Sequence, residues 1–397
     1  MTDFAKTKSL FRLPEGMIYL DGNSLGPLPK AASERVRTMM EDEWGELLIT
    51  GWNKAGWMNK PSTVGDRVGR LLGAAAGSIV MGDTLSIKVY QALASALELN
   101  SDRKIVLSDT GNFPSDLYIA DGLIKSLDKG LELRLFNPEA IADQLNEEVA
   151  VLMLTEVDYK TGRRHDMKAI TKKAHEFGII TVWDLAHSAG AIDVDLDGAE
   201  ADFAVGCTYK YLNSGPGGPA FIYVAPQLQG KVRPALSGWL GHVAPFSFDL
   251  DYRAGGGIDR MRCGTPPIIQ IASLEASLDI WDLASMDDVR AKSIELTDLF
   301  IDLSEAACPD LKLASPRDGN ERGSQVSFHF EEGYAAMQAM IDRGVIGDFR
   351  APDIMRFGFT PLYIDEGDVR AAVAILVDVM QNKLWDNPKY FEKSAVT

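Results

Sequence analysis

Between about residues 62 and 260, short apolar runs alternate with amphipathic stretches, and this alternation constrains the fold more than any other feature of the chain. The spacing predicts strands over 104–108, 131–136, 149–155, 179–184, 203–208 and 220–224. Helices are predicted over 85–99, 114–127, 138–145 and 167–177. The run 149–154 is apolar on both faces, which suits a strand covered by helices above and below. Strands and helices in this alternation define an α/β domain of three layers with a mainly parallel sheet. Ligands of such sheets bind beyond the carboxyl ends of the strands. Thr155, Asp184 and Lys210 fall at or just after three strand ends, so one crevice can be lined by all three.

Around this unit the chain divides into residues 1–60, an N-terminal arm with one helix opening on the loop 20–27; residues 61–265, the large α/β domain; residues 266–290, a connecting helix read from the apolar run 268–284; and residues 291–397, a small C-terminal α+β domain. The last is read from a helix over 289–307, strands over 325–330, 345–350 and 354–357, and a closing helix over 367–382. With 46% hydrophobic and 24% charged residues the composition is that of a globular protein. A net charge of -17 argues against nucleic acid or an anionic membrane as partner. The three cysteines have no metal-ligand spacing, no metal is expected, and the first residues lack the apolar core of a signal peptide, so a cytoplasmic protein is expected.

Lys210 lies in Cys207-Thr208-Tyr209-Lys210-Tyr211-Leu212-Asn213, after an apolar run and before a glycine-rich turn. An amine desolvated in such a place has a depressed pKa, which suits attack on a carbonyl. Asp184, closing the strand before Leu185-Ala186-His187, is either a helix N-cap or the partner of a pyridine nitrogen. Together the two residues suggest a pyridoxal 5'-phosphate enzyme, with the cofactor held as a Schiff base on Lys210. His187 reads as a core or cap histidine, or as a contact to the cofactor ring. Thr84-Leu85-Ser86 reads as a helix start, and a helix start with free amides also binds phosphate. Phe113-Pro114-Ser115-Asp116 opens a further helix, with Phe113 either core or stacked on a flat ring. Arg356, in an otherwise apolar strand, wants a carboxylate: that of an internal ion pair or that of a substrate. Trp52, Trp57 and Trp239 sit in glycine-rich segments as hydrophobic anchors or as parts of an interface or aromatic site.

The ordered series of these motifs resembles the kynureninase family, pyridoxal-phosphate hydrolases of tryptophan catabolism, over nearly the whole chain. The series comprises Tyr19-Leu20-Asp21-Gly22-Asn23-Ser24-Leu25-Gly26-Pro27, Trp52-Asn53-Lys54-Ala55-Gly56-Trp57, Phe113-Pro114-Ser115-Asp116, Tyr159-Lys160-Thr161-Gly162, Asp184-Leu185-Ala186-His187, Tyr209-Lys210-Tyr211-Leu212-Asn213, Gly238-Trp239-Leu240-Gly241-His242 and Cys263-Gly264-Thr265-Pro266-Pro267. The resemblance implies the fold-type-I architecture of pyridoxal-phosphate enzymes and hydrolytic Cβ–Cγ cleavage of L-kynurenine to anthranilate and L-alanine. It assigns Lys210 as cofactor carrier and base, with Asp184 on the pyridine nitrogen. Tyr209, Ser86 and the Leu85 amide hold phosphate, and Tyr209 also handles a proton. Phe113 stacks on the ring; Pro114, Ser115, Asp116, Thr155 and His187 complete its surroundings. Trp239 and Thr265 reach the site from the neighbouring subunit of a homodimer. Arg356, Trp52, Gly264 and Asn23 contact substrate. Gly264-Thr265 with Trp52 is similar to the bacterial pattern, which implies preference for L-kynurenine over its 3-hydroxy derivative. The competing readings are a cysteine desulfurase or small-chain aminotransferase of the same fold, and a non-catalytic regulator that binds the cofactor.

Overall fold

The computed structural model describes residues 1–392. Seven strands build the main sheet: β1 (Ile79–Met81), β2 (Ile105–Asp109), β3 (Glu132–Phe136), β4 (Val149–Thr155), β5 (Ile180–Asp184), β6 (Phe203–Gly206) and β7 (Phe221–Val224). Their spatial order is β1-β7-β6-β5-β4-β2-β3. All neighbours from β6 to β3 pair in parallel, and β7 runs antiparallel to both β1 and β6. The two-faced apolar pattern of β4 has its expected cause. Val151 packs with Val106, Val182 and Val205 on one face, while Leu152 and Leu154 join Leu107 and Trp183 on the other. The register sets Thr155 directly beside Asp184, and Lys210 follows four residues after β6.

Helices α1 (Leu85–Leu99) and α2 (Pro114–Leu127) start at the residues the sequence indicates. The expected helix over 138–145 is instead a 3-10 turn, Pro138–Ala140, followed by the short helix Ile141–Gln144, with Ala140 between them at φ -101° and ψ 12°. Among the elements of this region that escaped the sequence reading, two lie at the edge of the sheet. One is helix Lys60–Leu71, which carries Pro61, Gly65 and Gly69 and therefore has low helical propensity. Gly65 lies against β1, where a Cβ would meet the Ile79 carbonyl oxygen at 2.3 Å. The other is β1 itself, only three residues long.

The arm holds more than the one helix expected. Phe4–Ser9 is followed by Lys30–Thr38, which runs into a π-helical stretch, Met39–Glu46, and then into Leu48–Thr50 and Gly51–Lys54. The connecting helix is α3 (Ile268–Trp281). A second helix, α4 (Met286–Ala307), begins before residue 290, so a boundary there falls within it. A four-stranded antiparallel sheet follows, ordered β8-β9-β11-β10 from β8 (Lys312–Leu313), β9 (Gln325–His329), β10 (Asp348–Arg350) and β11 (Ile354–Gly358). Helix Gly333–Ile341, unread in the sequence, and helix Glu366–Gln381 pack with this sheet. The single strand expected over 345–350 is two. Val345–Ile346 pairs in parallel with Ile18–Tyr19 of the arm, while Asp348–Arg350 pairs with β11. Gly347 separates them where a Cβ would meet the Arg356 carbonyl oxygen at 2.8 Å. The arm is thus sewn to the C-terminal sheet, and its 20–27 loop is carried to the strand ends of the main sheet.

Candidate active site

A cleft of about 210 Å³ opens where the strand ends, the arm and the C-terminal sheet meet. It is lined by Asn23, Ser24, Leu85, Phe113, Thr155, Tyr159, Asp184, Ala186, His187, Tyr209, Lys210, Arg350 and Arg356. Gly26 explains how the arm gets so close. Its N–H donates to the Tyr209 carbonyl oxygen at 2.7 Å, and a Cβ there would sit 2.5 Å from the Lys210 carbonyl oxygen. Asn23 is fully buried against Gly358, and both ends of its amide lack a hydrogen-bond partner among the described residues.

The Lys210 amine lies 2.9 Å from His187 Nε2 and about equally far from the Phe113 and Tyr209 rings, 6.0 and 5.9 Å from their centroids. Burial pulls this amine below its ordinary pKa. Burial, with the nearby Lys210 charge, drives His187 well below the imidazole range, so its ring is neutral. Asp184 accepts from the Ala186 N–H at 2.8 Å. Burial raises both Asp184 and Asp116, and the negative charge of Asp184 lifts Asp116 further while Lys210 opposes the rise at Asp184. Burial and the neighbouring carboxylate together favour the neutral form of Asp116. Tyr209 is raised by the adjacent Cys207 sulfur and by burial, which keeps its phenol protonated.

At the other end of the cleft two helix N-termini converge. Neither Thr84 nor Phe113 caps its helix with a side-chain hydrogen bond, and Ser86 Oγ lies 3.3 Å from Ser115 Oγ. Free amides and two hydroxyls at the positive ends of two helices have the chemistry to receive an anion. Asp83 is turned away from it and pairs with the buried Lys88 at 2.9 Å.

Arg356 is buried, and its Nε donates to Asp348 Oδ1 at 2.7 Å. Its Nη2 bonds Asp348 Oδ2 and donates to Ser24 Oγ at 2.9 Å, and Nη1 reaches the Tyr159 carbonyl oxygen. The internal ion pair is therefore present, and the same guanidinium also lines the cleft. The sequence reading missed Arg350, whose Nη2 lies 2.7 Å from Asp348 Oδ2 and whose side chain is one-third exposed. The signal was available. Asp348 and Arg350 alternate onto one face of β10, and Asp348 stands opposite Arg356 across the ladder. Ser24 and Tyr159 lay within the quoted motifs without a role, and Ala186 was passed over between Asp184 and His187.

Eight expected site residues are not in the lining of this cleft. Trp239 is half-exposed on a 3-10 turn, edge-on to Phe246 at 5.6 Å. Gly264 and Thr265 follow Cys263, whose carbonyl oxygen accepts from the Leu240 N–H at 3.2 Å, so these three residues lie near one another in space. Trp52 packs edge-on to Trp57 at 5.7 Å. Pro114, Ser115, Ser86 and Asp116 adjoin the lining residues Leu85 and Phe113 in the chain without themselves lining the cleft, with Asp116 buried and its Oδ2 unpartnered among the described residues.

An amine, a buried acid at the parallel strand ends, and an anion cradle at two helix starts define the class. The fold is that of fold-type-I pyridoxal-phosphate enzymes. Solved structures with this fold include a cysteine desulfurase from Thermococcus onnurineus NA1 (TM-score 0.81, 18% identity, 96% of this chain and 99% of that one) and the cysteine desulfurase CsdA from Escherichia coli (0.81, 16%, 96% and 99%). Residues 289–376 match the model of the kynureninase C-terminal domain. Kynureninases from Pseudomonas fluorescens and from Burkholderia pseudomallei (strain 1106a) are each 48% identical over 400 residues, covering 99% of this chain and 96% of theirs. The chain belongs to the kynureninase family.

Proposed function

We propose that this protein hydrolyses L-kynurenine between Cβ and Cγ to anthranilate and L-alanine, using pyridoxal 5'-phosphate on Lys210. The observation that carries the reading is the meeting of Lys210, His187 and Asp184 with the Arg350–Arg356 pair in one cleft of a chain from this family. The residues fit the cofactor. Asp116 Oδ2 and the Asn23 amide are buried polar atoms awaiting partners, and the uncapped starts of α1 and α2 offer amides to a phosphate.

When bound, the cofactor supplies an electron sink for negative charge developing at the substrate Cα and, in turn, at Cβ. Asp184, beside Asp116, provides the carboxylate for the pyridine nitrogen. Leu85, Ser86 and Ser115 bind phosphate, and Phe113 covers the ring face. Arg356 and Arg350 orient the substrate carboxylate, and Asp348 holds both guanidinia in place. Lys210, desolvated and lowered in pKa, takes and returns the proton at Cα. Tyr209 retains its proton and can donate it near the aryl end. Trp239 and Thr265 come from the partner of a cytoplasmic homodimer, and Trp52 and Gly264 meet the aryl ring by the same route. No asparagine suited to a 3-hydroxyl stands at Thr265, so 3-hydroxykynurenine is the weaker substrate.

Neither buried Cys207 nor Cys308 is available as the mobile nucleophile a desulfurase needs, and burial raises the thiol of half-buried Cys263 as well. The test is fluorescence of anthranilate on adding L-kynurenine to the protein with its cofactor. Release without any keto acid supports the reading, and cysteine desulfuration or amino transfer in its place overturns it.

A further inference from the structure

We propose that Gln325 is a positioning residue that selects the tautomer of His187, and through it the orientation of the Lys210 amine. The inference deepens the reading of Lys210 as the reacting amine. A neutral imidazole has one N–H and one lone pair, and the partner of one nitrogen decides the role of the other. Nε2 of His187 faces the Lys210 amine at 2.9 Å. An amine always has N–H to give, so Nε2 serves best as acceptor, which places the ring hydrogen on Nδ1. That nitrogen is buried and lacks a hydrogen-bond partner among the described residues, as does Oε1 of Gln325. A donor and an acceptor are thus left bare in the same interior, which is unfavourable for both. Gln325 already acts on the imidazole in the direction of an acceptor at its N–H, favouring the proton.

The amide cannot turn its other end to the ring. Nε2 of Gln325 donates to the Tyr159 carbonyl oxygen at 3.2 Å and leans toward that of Asp158 at 3.5 Å. Gln325 is fully buried on β9, and Gly162, at φ +74°, closes over it so tightly that a Cβ would meet its Cγ at 2.7 Å. The C-terminal sheet thereby fixes a histidine of the main sheet without touching substrate.

The test is long-range proton–nitrogen NMR of the His187 ring in the cofactor-free protein, assigned with a His187→Gln control. The wild type is expected to carry its hydrogen on Nδ1. Gln325→Met, of similar length but without the acceptor, is expected to move the ring to the Nε2–H form or to a mixture, and Gln325→Glu to restore Nδ1–H. In the loaded enzyme Gln325→Met is expected to lower kcat roughly tenfold, equivalent to about 1.4 kcal/mol, with KM nearly unchanged. An Nε2–H ring in the wild type, or an unmoved tautomer in Gln325→Met, overturns the proposal. The wild-type spectrum alone decides if the variant does not fold. Because the tautomer is read without cofactor or substrate, its failure is distinct from failure of the proposed reaction.

Discussion

Asp348 accepts from Arg356 Nε at 2.7 Å through one oxygen and lies 2.7 Å from Arg350 Nη2 through the other. One buried carboxylate therefore fixes two guanidinia at the cleft wall. Removing one member of such a buried network leaves uncompensated charge and costs about 3–5 kcal/mol. We expect Asp348→Asn to lower the urea midpoint markedly and to raise KM for kynurenine more than it lowers kcat. A KM within twofold of wild type in folded variant would remove the carboxylate-orienting role.

Burial raises both Asp116 and Asp184, and Asp184 lifts Asp116 further, which favours the neutral form of Asp116. An asparagine reproduces a protonated aspartate far better than an ionised one. We expect Asp116→Asn to keep most activity and Asp184→Asn to lose at least about a hundredfold in kcat, roughly 2.7 kcal/mol. Equal losses in the two variants would contradict the assignment of the proton.

Glu156 is buried at the end of β4, and burial pushes its carboxyl up to about 7, with Arg164 only partly opposing the rise. A carboxyl raised on folding favours the protonated native state, so its stabilisation is lost as pH rises from its ordinary 4.5 through about 7. Glu156→Gln lacks this loss. Between about pH 5.5 and 8 the stability difference is expected to shift in favour of the variant by about 2 kcal/mol. A pH-independent difference would place the titration elsewhere.

Trp239, Gly264 and Thr265 gather away from the cleft of their own chain. If they serve the other subunit, an inactive Lys210→Ala chain and a weakened Trp239→Ala chain should complement. One site of the mixed dimer then has both residues intact. We expect activity to rise on co-refolding the two variants. No gain above the separate variants would assign Trp239 to its own subunit or to none.

The sheet was legible because its strands are apolar on both faces, as at 149–155, and because Leu85 and Pro114 stand at clear helix starts. Helix Lys60–Leu71 was not, because its glycines answer to the close approach of Ile79 rather than to helical propensity. In the site, Lys210, Asp184 and His187 stood out as polar residues beside apolar strands. Arg350 and Gln325 did not. The first stands two residues from Asp348 on one strand, a pairing that gains meaning only once Arg356 is placed opposite Asp348, and the second acts beside a loop from another part of the chain.

The central claim is that Lys210 works the Cβ–Cγ hydrolysis of kynurenine. The most direct measurement is the yield of anthranilate and L-alanine from L-kynurenine by the wild type and by Lys210→Ala, each reconstituted with pyridoxal 5'-phosphate. We expect equimolar products from the wild type and a loss of at least about a thousandfold, ~4 kcal/mol, in the variant. Anthranilate formed at a comparable rate by Lys210→Ala, or alanine formed without anthranilate, would contradict it.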